Sequence, residues 1–320
     1  TKLAGPALKH FQGPALTVFN DAVFSREDFA SIQRIGDSLK KVDAAPKIGR
    51  FGIGFNAVYH WTDLPSFVSS RYLVLLDPQA SYLPNVNPSN PGKMVDFLGD
   101  PSLLESFKDQ FSPYDVDWTT EYKGTLFRLP LRTTELAESS RLSKRVLSDG
   151  DAEEILNALI RESNSMLLFL KAIESIEIKI WRADETEPQH LFSCRAANIN
   201  NDLLLKRKLF SGLPPQNESA VARVHHADYS LEVHCKHLGS GVYSESWRIC
   251  NQYGGGAASA IANHPDNGLL KLIPWGGVAA CLSSNGAINN SSRLEGAAYC
   301  FLPLPIRTEL PVMVSMHIEL

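Results

Sequence analysis

Hydrophobic and polar positions along the first half of the chain follow patterns typical of both strands and helices. The mostly apolar run at residues 15–19 predicts a short strand, and the continuous apolar run at residues 72–76 predicts a second one. Apolar side chains recur at helical spacing through residues 151–171, and clean alternation at 175–181 predicts a half-buried strand. This half of the chain is therefore predicted to be a mixed α/β domain.

A helix start is marked directly after the first predicted strand. Ser25 is followed by Asp28 three residues later, a capping signature for a helix that carries Phe29 and Ile32. The next stretch, residues 37–46, is small, charged and non-periodic. It suits a lid over a binding site, and an inert surface loop explains the same composition equally well.

Strand-like runs dominate the second half of the chain, and they lie at residues 191–194, 231–235, 276–281 and 298–302. A short helix fits residues 257–262. Charge near Arg182 and Asp184 interrupts the pattern of the first half. We therefore predict a first domain of residues 1–182 and a smaller, β-rich second domain of residues 183–320.

Composition narrows the class of protein. With 320 residues, 44% of them hydrophobic, the chain can bury a substantial core, and its net charge of -4 includes no basic stripe for nucleic acid. No apolar run reaches membrane-spanning length. The five cysteines are odd in number and widely spaced, which indicates reduced, buried thiols in a cytosolic or nuclear protein, and we expect a soluble protein of the cytoplasm. Because the chain begins with Thr1 and not Met, we expect it to be a piece of a longer one.

Three glycines form the most informative motif of the chain. Gly49, Gly52 and Gly54 stand at GxxGxG spacing just before a predicted helix at residues 56–59. Glycines let a backbone approach an anion, and a helix start presents unpaired N–H groups to it. The same pattern also serves tight turns and close packing, so its neighbours decide between the two interpretations.

The histidines and cysteines of the chain do not predict a metal site. His234 and Cys235 follow one another on a predicted strand and therefore point to opposite faces. His60 and Asp63, close to the glycines, are interpreted as helix-end and turn residues rather than an acid–base pair.

Three segments together resemble the nucleotide pocket of the GHKL superfamily: Phe19-Asn20-Asp21, the glycine run at residues 49–56, and residues 124–131. The amino-acid sequences of several segments are similar to those of sacsin repeats, namely residues 11–16, 20–24, 52–60, 62–67, 276–281 and 300–304. The resemblance implies a Bergerat-type two-layer α/β sandwich that binds ATP with Mg²⁺, followed by the β-rich domain.

The resemblance also assigns roles to residues. Asn20 stands where the superfamily usually has the aspartate that accepts a hydrogen bond from adenine, Asp21 lies beside it, and Thr125 matches the threonine near the adenine. An Asn oxygen is a neutral and weaker acceptor than a carboxylate. Lys40 and Lys41 fall in the predicted lid, where either one could neutralise a phosphate or simply be a solvent-exposed charge. The residues assigned to the phosphate loop are Gly49, Arg50, Phe51, Gly52, Ile53, Gly54 and Phe55.

Hydrolysis is left open by the sequence. The family's catalytic Glu and its Mg²⁺-binding Asn come from a helix before the first of these segments, and residues 1–10 contain neither type. We therefore name no catalytic residue and no metal ligand, and we expect at most a weak ATPase in a longer parent. The implied function is an ATP-binding chaperone or co-chaperone module, with ATP or ADP, client proteins and other chaperones as partners. The alternative is a degenerate repeat that serves as a structural or interaction scaffold.

Overall fold

The computed structural model is a strand-rich mixed α/β protein with two sheets. It describes residues 2–32, 54–208, 224–239, 241–262, 264–267, 272, 274–285 and 296–316. The chain divides into two compact units, Thr1–Lys41 with Gly49–Ile155, and Val42–Ile48 with Leu156–Leu320.

The first unit contains a five-stranded antiparallel sheet in the order β1-β5-β2-β3-β4. Its strands are β1 (Ala15–Asn20), β2 (Ser66–Ser70), β3 (Tyr72–Leu76), β4 (Gly92–Asp96) and β5 (Tyr122–Pro130). The predicted strands at 15–19 and 72–76 are confirmed. The strand β3 is apolar throughout because both of its faces are covered: Leu73 and Leu75 lie in one core cluster, and Val74 and Leu76 lie in another.

Short helices cover this sheet: α1 (Arg26–Ser31), α2 (Ser102–Ser106), α3 (Lys108–Phe111) and α4 (Thr134–Ser139), with 3₁₀ helices at Pro6–Phe11, Gly54–His60 and Ser112–Tyr114. The predicted capping signature is confirmed at α1. The Ser25 hydroxyl accepts from the Asp28 N–H, and the Asp28 carboxylate accepts from the Ser25 N–H. Two apolar clusters form the core of the unit, one built around Phe11, Val68 and Leu73 and the other around Phe67 and Val74.

The second unit contains an eight-stranded sheet in the order β12-β11-β13-β10-β9-β8-β7-β6. Its strands are β6 (Ser175–Ile180), β7 (Gln189–Ala197), β8 (His225–His237), β9 (Gly241–Tyr253), β10 (Trp275–Asn285), β11 (Ala297–Cys300), β12 (Leu302–Arg307) and β13 (Met313–Met316). Its helices are α6 (Asn201–Arg207), α7 (Gly256–Ala262) and a 3₁₀ turn at Pro265–Asn267. Alternate residues of β8 are buried, as a sheet with one covered face requires.

The long helix predicted at 151–171 is α5 (Asp149–Phe169). Its last turn places Leu167, Leu168 and Phe169 in the core of the second unit. The division between the units falls within this helix, after Ile155. The boundary at 182 predicted from sequence differs from this division because β6 hydrogen-bonds to β7 and so belongs to the second sheet.

One predicted strand is broken in the structure. The run at 298–302 forms the end of β11 and the start of β12, which pair antiparallel with Cys300 opposite Leu302. Phe301 lies between them with a φ of 63°, in the left-handed region. The apolar run conceals this turn because it contains no Gly, Asn or Asp, and its aromatic residues Tyr299 and Phe301 have high strand propensity.

Candidate functional site

Two of the three segments assigned to the pocket lie side by side at one end of the first sheet. Asn20, the last residue of β1, pairs with Thr125 of β5, although 105 positions separate them in sequence. Gly124 allows the two strands to approach here, because a Cβ at that position would lie 2.6 Å from the Asn20 carbonyl oxygen. The sheet therefore brings together the two residues that the resemblance assigns to adenine.

Two buried hydroxyls hold the turn that follows β1. The Thr125 hydroxyl donates to the Ala22 carbonyl at 2.7 Å and lies 2.9 Å from the Ser69 hydroxyl. Ser69, in β2 directly opposite Thr125, accepts from the Phe24 N–H at 2.9 Å. Sequence reasoning missed Ser69, since only the sheet register shows that it faces Thr125.

The Asn20 side chain is already engaged within this turn. Its Oδ1 accepts from the Ala22 N–H at 3.1 Å, an arrangement that stabilises a local turn of the backbone. Asn20 is half-buried, and the neighbouring Asp21 is exposed. The oxygen assigned to adenine thus points to the start of the turn and lies close to solvent.

The segment after the glycines packs against the same sheet. Gly54–His60 is a 3₁₀ helix of seven residues, where an ordinary helix start was expected. The Phe55 ring contacts Phe127 of β5, with ring centroids 5.9 Å apart. So short a 3₁₀ helix aligns few peptide dipoles, and an anion here would depend on loop N–H groups. The other residues assigned to the loop and lid lie outside the described residues: Lys40, Lys41, Gly49, Arg50, Phe51, Gly52 and Ile53.

A buried ion pair fixes the end of this 3₁₀ helix. Arg132 donates to Asp63 Oδ1 from Nε at 2.8 Å and from Nη2 at 2.6 Å, and both side chains are fully buried. Arg132 also donates to the carbonyls of Tyr59 at 2.7 Å and His60 at 3.1 Å. The Ser140 hydroxyl donates to Asp63 Oδ1 at 3.0 Å. These bonds tie the residues that follow the glycine run to the body of the first unit.

The two tyrosine hydroxyls near the ion pair have a structural role and are not poised for acid–base chemistry. Burial raises the pKa of Tyr82, whose hydroxyl donates to Asp63 Oδ2 at 3.2 Å. Burial, with a smaller effect of the Asp77 carboxylate, raises the pKa of Tyr59 to about 12. Both phenols therefore stay protonated at neutral pH. The sequence placed Asp63 in a turn and gave it no partner, because Arg132 lies 69 residues further along the chain.

Two further findings concern metal-ligating side chains and helix length in the described part of the chain. Within it, no group of three or more His, Cys, Asp and Glu side chains is placed to hold a metal ion. None of the helices described there is long and apolar enough to cross a membrane.

Fold and site together define a two-unit, strand-rich α/β protein whose first unit gathers a polar turn, a buried threonine and the residues after a glycine run. The Sacsin domain family model matches residues 1–193, and the chain belongs to this family. It is similar to human Sacsin, with 31% identity over 330 residues. That match covers 97% of this chain and 7% of the human protein, so the chain spans only a small part of that relative.

Proposed function

We propose that the first unit is a nucleotide-binding module of a sacsin-like protein, and that it works as a chaperone or co-chaperone in the cytoplasm. The observation that supports this proposal is the convergence of distant segments: Asn20 pairs with Thr125, and Phe55 packs on Phe127 of the same strand. A binding site assembled from three separate segments needs this convergence, whereas an isolated glycine run does not.

The proposed ligand is ATP with Mg²⁺, held as in a Bergerat fold. Asn20 and Asp21 would meet the adenine, and backbone N–H groups around Gly49, Gly52 and Gly54 would meet the phosphates. Lys40 and Lys41 would supply positive charge from a lid. The ion pair of Asp63 and Arg132 would hold the chain that leaves the phosphate loop.

Isothermal titration calorimetry of the 320-residue chain with Mg-ATP tests the proposal. We expect saturable heat below 1 mM nucleotide, on the order of -4 kcal/mol or better in binding free energy. Gly52→Trp, which fills the loop, should abolish this heat. The control Gly150→Trp adds the same side chain at an exposed position in the first turn of α5 and should leave it unchanged. Absence of heat at 5 mM nucleotide, with the chain folded, would refute the proposal.

A second candidate function rests on the state of Asn20. Its Oδ1 is bonded to Ala22, and it is a weaker acceptor than a carboxylate, which favours a degenerate repeat that acts as an interaction scaffold. Limited proteolysis separates the two functions. Nucleotide-dependent protection around residues 37–46, lost in Gly52→Trp, would rule the scaffold out, and cleavage that is indifferent to nucleotide would favour it.

A further inference from the structure

The turn that follows β1 fixes which end of the Asn20 amide is available to a ligand. A backbone N–H can only donate, so the Asn20 atom that lies 3.1 Å from the Ala22 nitrogen must be the oxygen, Oδ1. Nδ2, with its two N–H donors, lies at the other end of the amide. Among the residues that the structure describes, none accepts a hydrogen bond from Nδ2.

The amide keeps this orientation because Ala22 is held from two sides. Its N–H donates to Asn20, and its carbonyl accepts from the buried Thr125 hydroxyl at 2.7 Å. The Thr125 hydroxyl in turn lies 2.9 Å from the Ser69 hydroxyl. If the amide turned over, Nδ2 would face the Ala22 N–H, and two donors would meet with no acceptor between them.

The sheet register places the Asn20 amide, and not the carboxylate of Asp21, beside Thr125. β1 ends at Asn20, which pairs with Thr125, and Asp21 lies beyond the strand. Because side chains alternate along a strand, Asn20 shares a face with Val18, the neighbour of Phe127. Phe127 is the ring that Phe55 contacts. The half-buried amide therefore lies on the face where the residues after the glycine run pack.

This arrangement determines which purine base the amide suits. A carboxylate can only accept hydrogen bonds, so it favours a base with an amine at C6, such as adenine. The Asn20 amide offers two donors at Nδ2 and one remaining lone pair at Oδ1. A carbonyl at C6 can accept from Nδ2, whereas an amine at C6 has to share Oδ1 with the Ala22 N–H.

We propose that Asn20 makes the first unit a binding site for purine nucleoside triphosphates with a carbonyl at C6, with an affinity close to or above that for ATP. This inference rests on the proposed function, since it requires that the first unit binds a nucleotide. In the complex, Nδ2 donates to the base carbonyl while Oδ1 keeps its bond to Ala22. Asn20 is then the residue that sets the base preference.

Calorimetric titration of the 320-residue chain with Mg²⁺ and either ATP or inosine triphosphate tests the inference. The two nucleotides are a matched pair, because inosine differs from adenosine in its C6 carbonyl and the N1 proton that accompanies it. We expect inosine triphosphate to bind within about threefold of ATP or more tightly. Binding weaker than this, with ATP still bound, would overturn the inference alone. Absence of heat from both nucleotides would overturn the proposed function with it.

Asn20→Asp tests the role of the two donors. It keeps an acceptor for the Ala22 N–H, so the turn should stay intact, but it has no donor for a carbonyl. The ratio of ATP affinity to inosine triphosphate affinity should rise roughly tenfold or more. The control Asn157→Asp adds the same charge at an exposed position in α5 and should leave this ratio unchanged. An unchanged ratio in a folded Asn20→Asp chain would contradict the assigned role.

NMR of the side-chain amides gives a measurement on the unaltered chain that does not depend on a variant. The Nδ2 protons of Asn20 should shift when inosine triphosphate binds. Inorganic tripolyphosphate, which carries the phosphates without a base, should leave them in place. No shift at saturating inosine triphosphate, or an equal shift with tripolyphosphate, would exclude a contact between Nδ2 and the base.

Discussion

Removing the carboxylate of Asp63 should strongly destabilise the first unit. Both side chains of the Asp63–Arg132 pair are fully buried, and Arg132 makes two charge-assisted bonds to Asp63 at 2.8 and 2.6 Å. In Asp63→Ala the guanidinium keeps its neutral carbonyl partners Tyr59 and His60 but loses its counter-charge. Breaking a buried pair in this way costs about 3–5 kcal/mol. A loss of this size is a large fraction of the stability of a typical domain.

The assay has to report on the first unit alone. The chain folds as two compact units, so a single spectroscopic transition would mix their stabilities. Urea-dependent hydrogen exchange of the β2 and β5 amides isolates the first unit. As a matched control, Glu105→Ala removes the exposed partner of Lys2 in the same unit, and it should leave the unfolding free energy nearly unchanged because solvent screens a surface ion pair.

A double-mutant cycle decides whether the loss comes from the buried charge. Arg132→Met removes the guanidinium, so the combination with Asp63→Ala leaves no unpaired charge inside. The double mutant should be at least ~1 kcal/mol more stable than the sum of the two single losses predicts. Additive losses, or an Asp63→Ala loss below about 1 kcal/mol, would refute the reasoning.

Three further predictions concern single side chains. Asn20→Asp keeps the acceptor for the Ala22 N–H and adds a charge, so it should tighten ATP binding by roughly tenfold in calorimetry, and unchanged affinity would count against an adenine contact. Ser69→Ala leaves the Phe24 N–H without its partner and should lower stability by about 1–3 kcal/mol in β2 hydrogen exchange, a loss that would be absent if the turn after β1 were held otherwise. Burial lowers the pKa of Lys171 from 10.5 to about 8, so the unfolded state binds more protons than the folded state between these two pH values. The stability should therefore rise with pH across that window. Lys171→Met should remove this rise in urea titrations, and a rise that persists in the variant would exclude Lys171 as its cause.

Much of the local structure follows from hydrophobic periodicity and capping. The helix at α5 is long enough for its 3.6-residue period to be unambiguous, and β3 is short, apolar and flanked by polar residues. Ser25 and Asp28 mark the start of α1 because their side chains satisfy N–H groups that any helix leaves unpaired. These elements depend on neighbours in sequence, which a single chain displays directly.

What the sequence could not provide depends on pairing across the chain. β6 alternates cleanly whichever sheet it joins, so its pattern carries no information on the domain boundary. Phe301 has no feature of a turn residue, and its left-handed backbone follows from the β11–β12 hairpin. Arg132 and Asp63 are ordinary charged residues until the fold buries them together.

Contacts between residues distant in sequence also determine how much the resemblance can say about the proposed adenine-binding residues. The resemblance points to Asn20 and Thr125 but does not show how their side chains are buried and hydrogen-bonded. The Thr125 hydroxyl is buried and donates its only proton to the Ala22 carbonyl. The Asn20 Oδ1 accepts one hydrogen bond, and the residue remains partly accessible. A carbonyl oxygen has two lone pairs, so Asn20 can keep its bond to Ala22 and still accept from an adenine amine. Direct contact with Thr125 would require the turn after β1 to open. If the first unit binds a nucleotide as proposed, the base would meet Asn20 first, while Thr125 holds the turn in place.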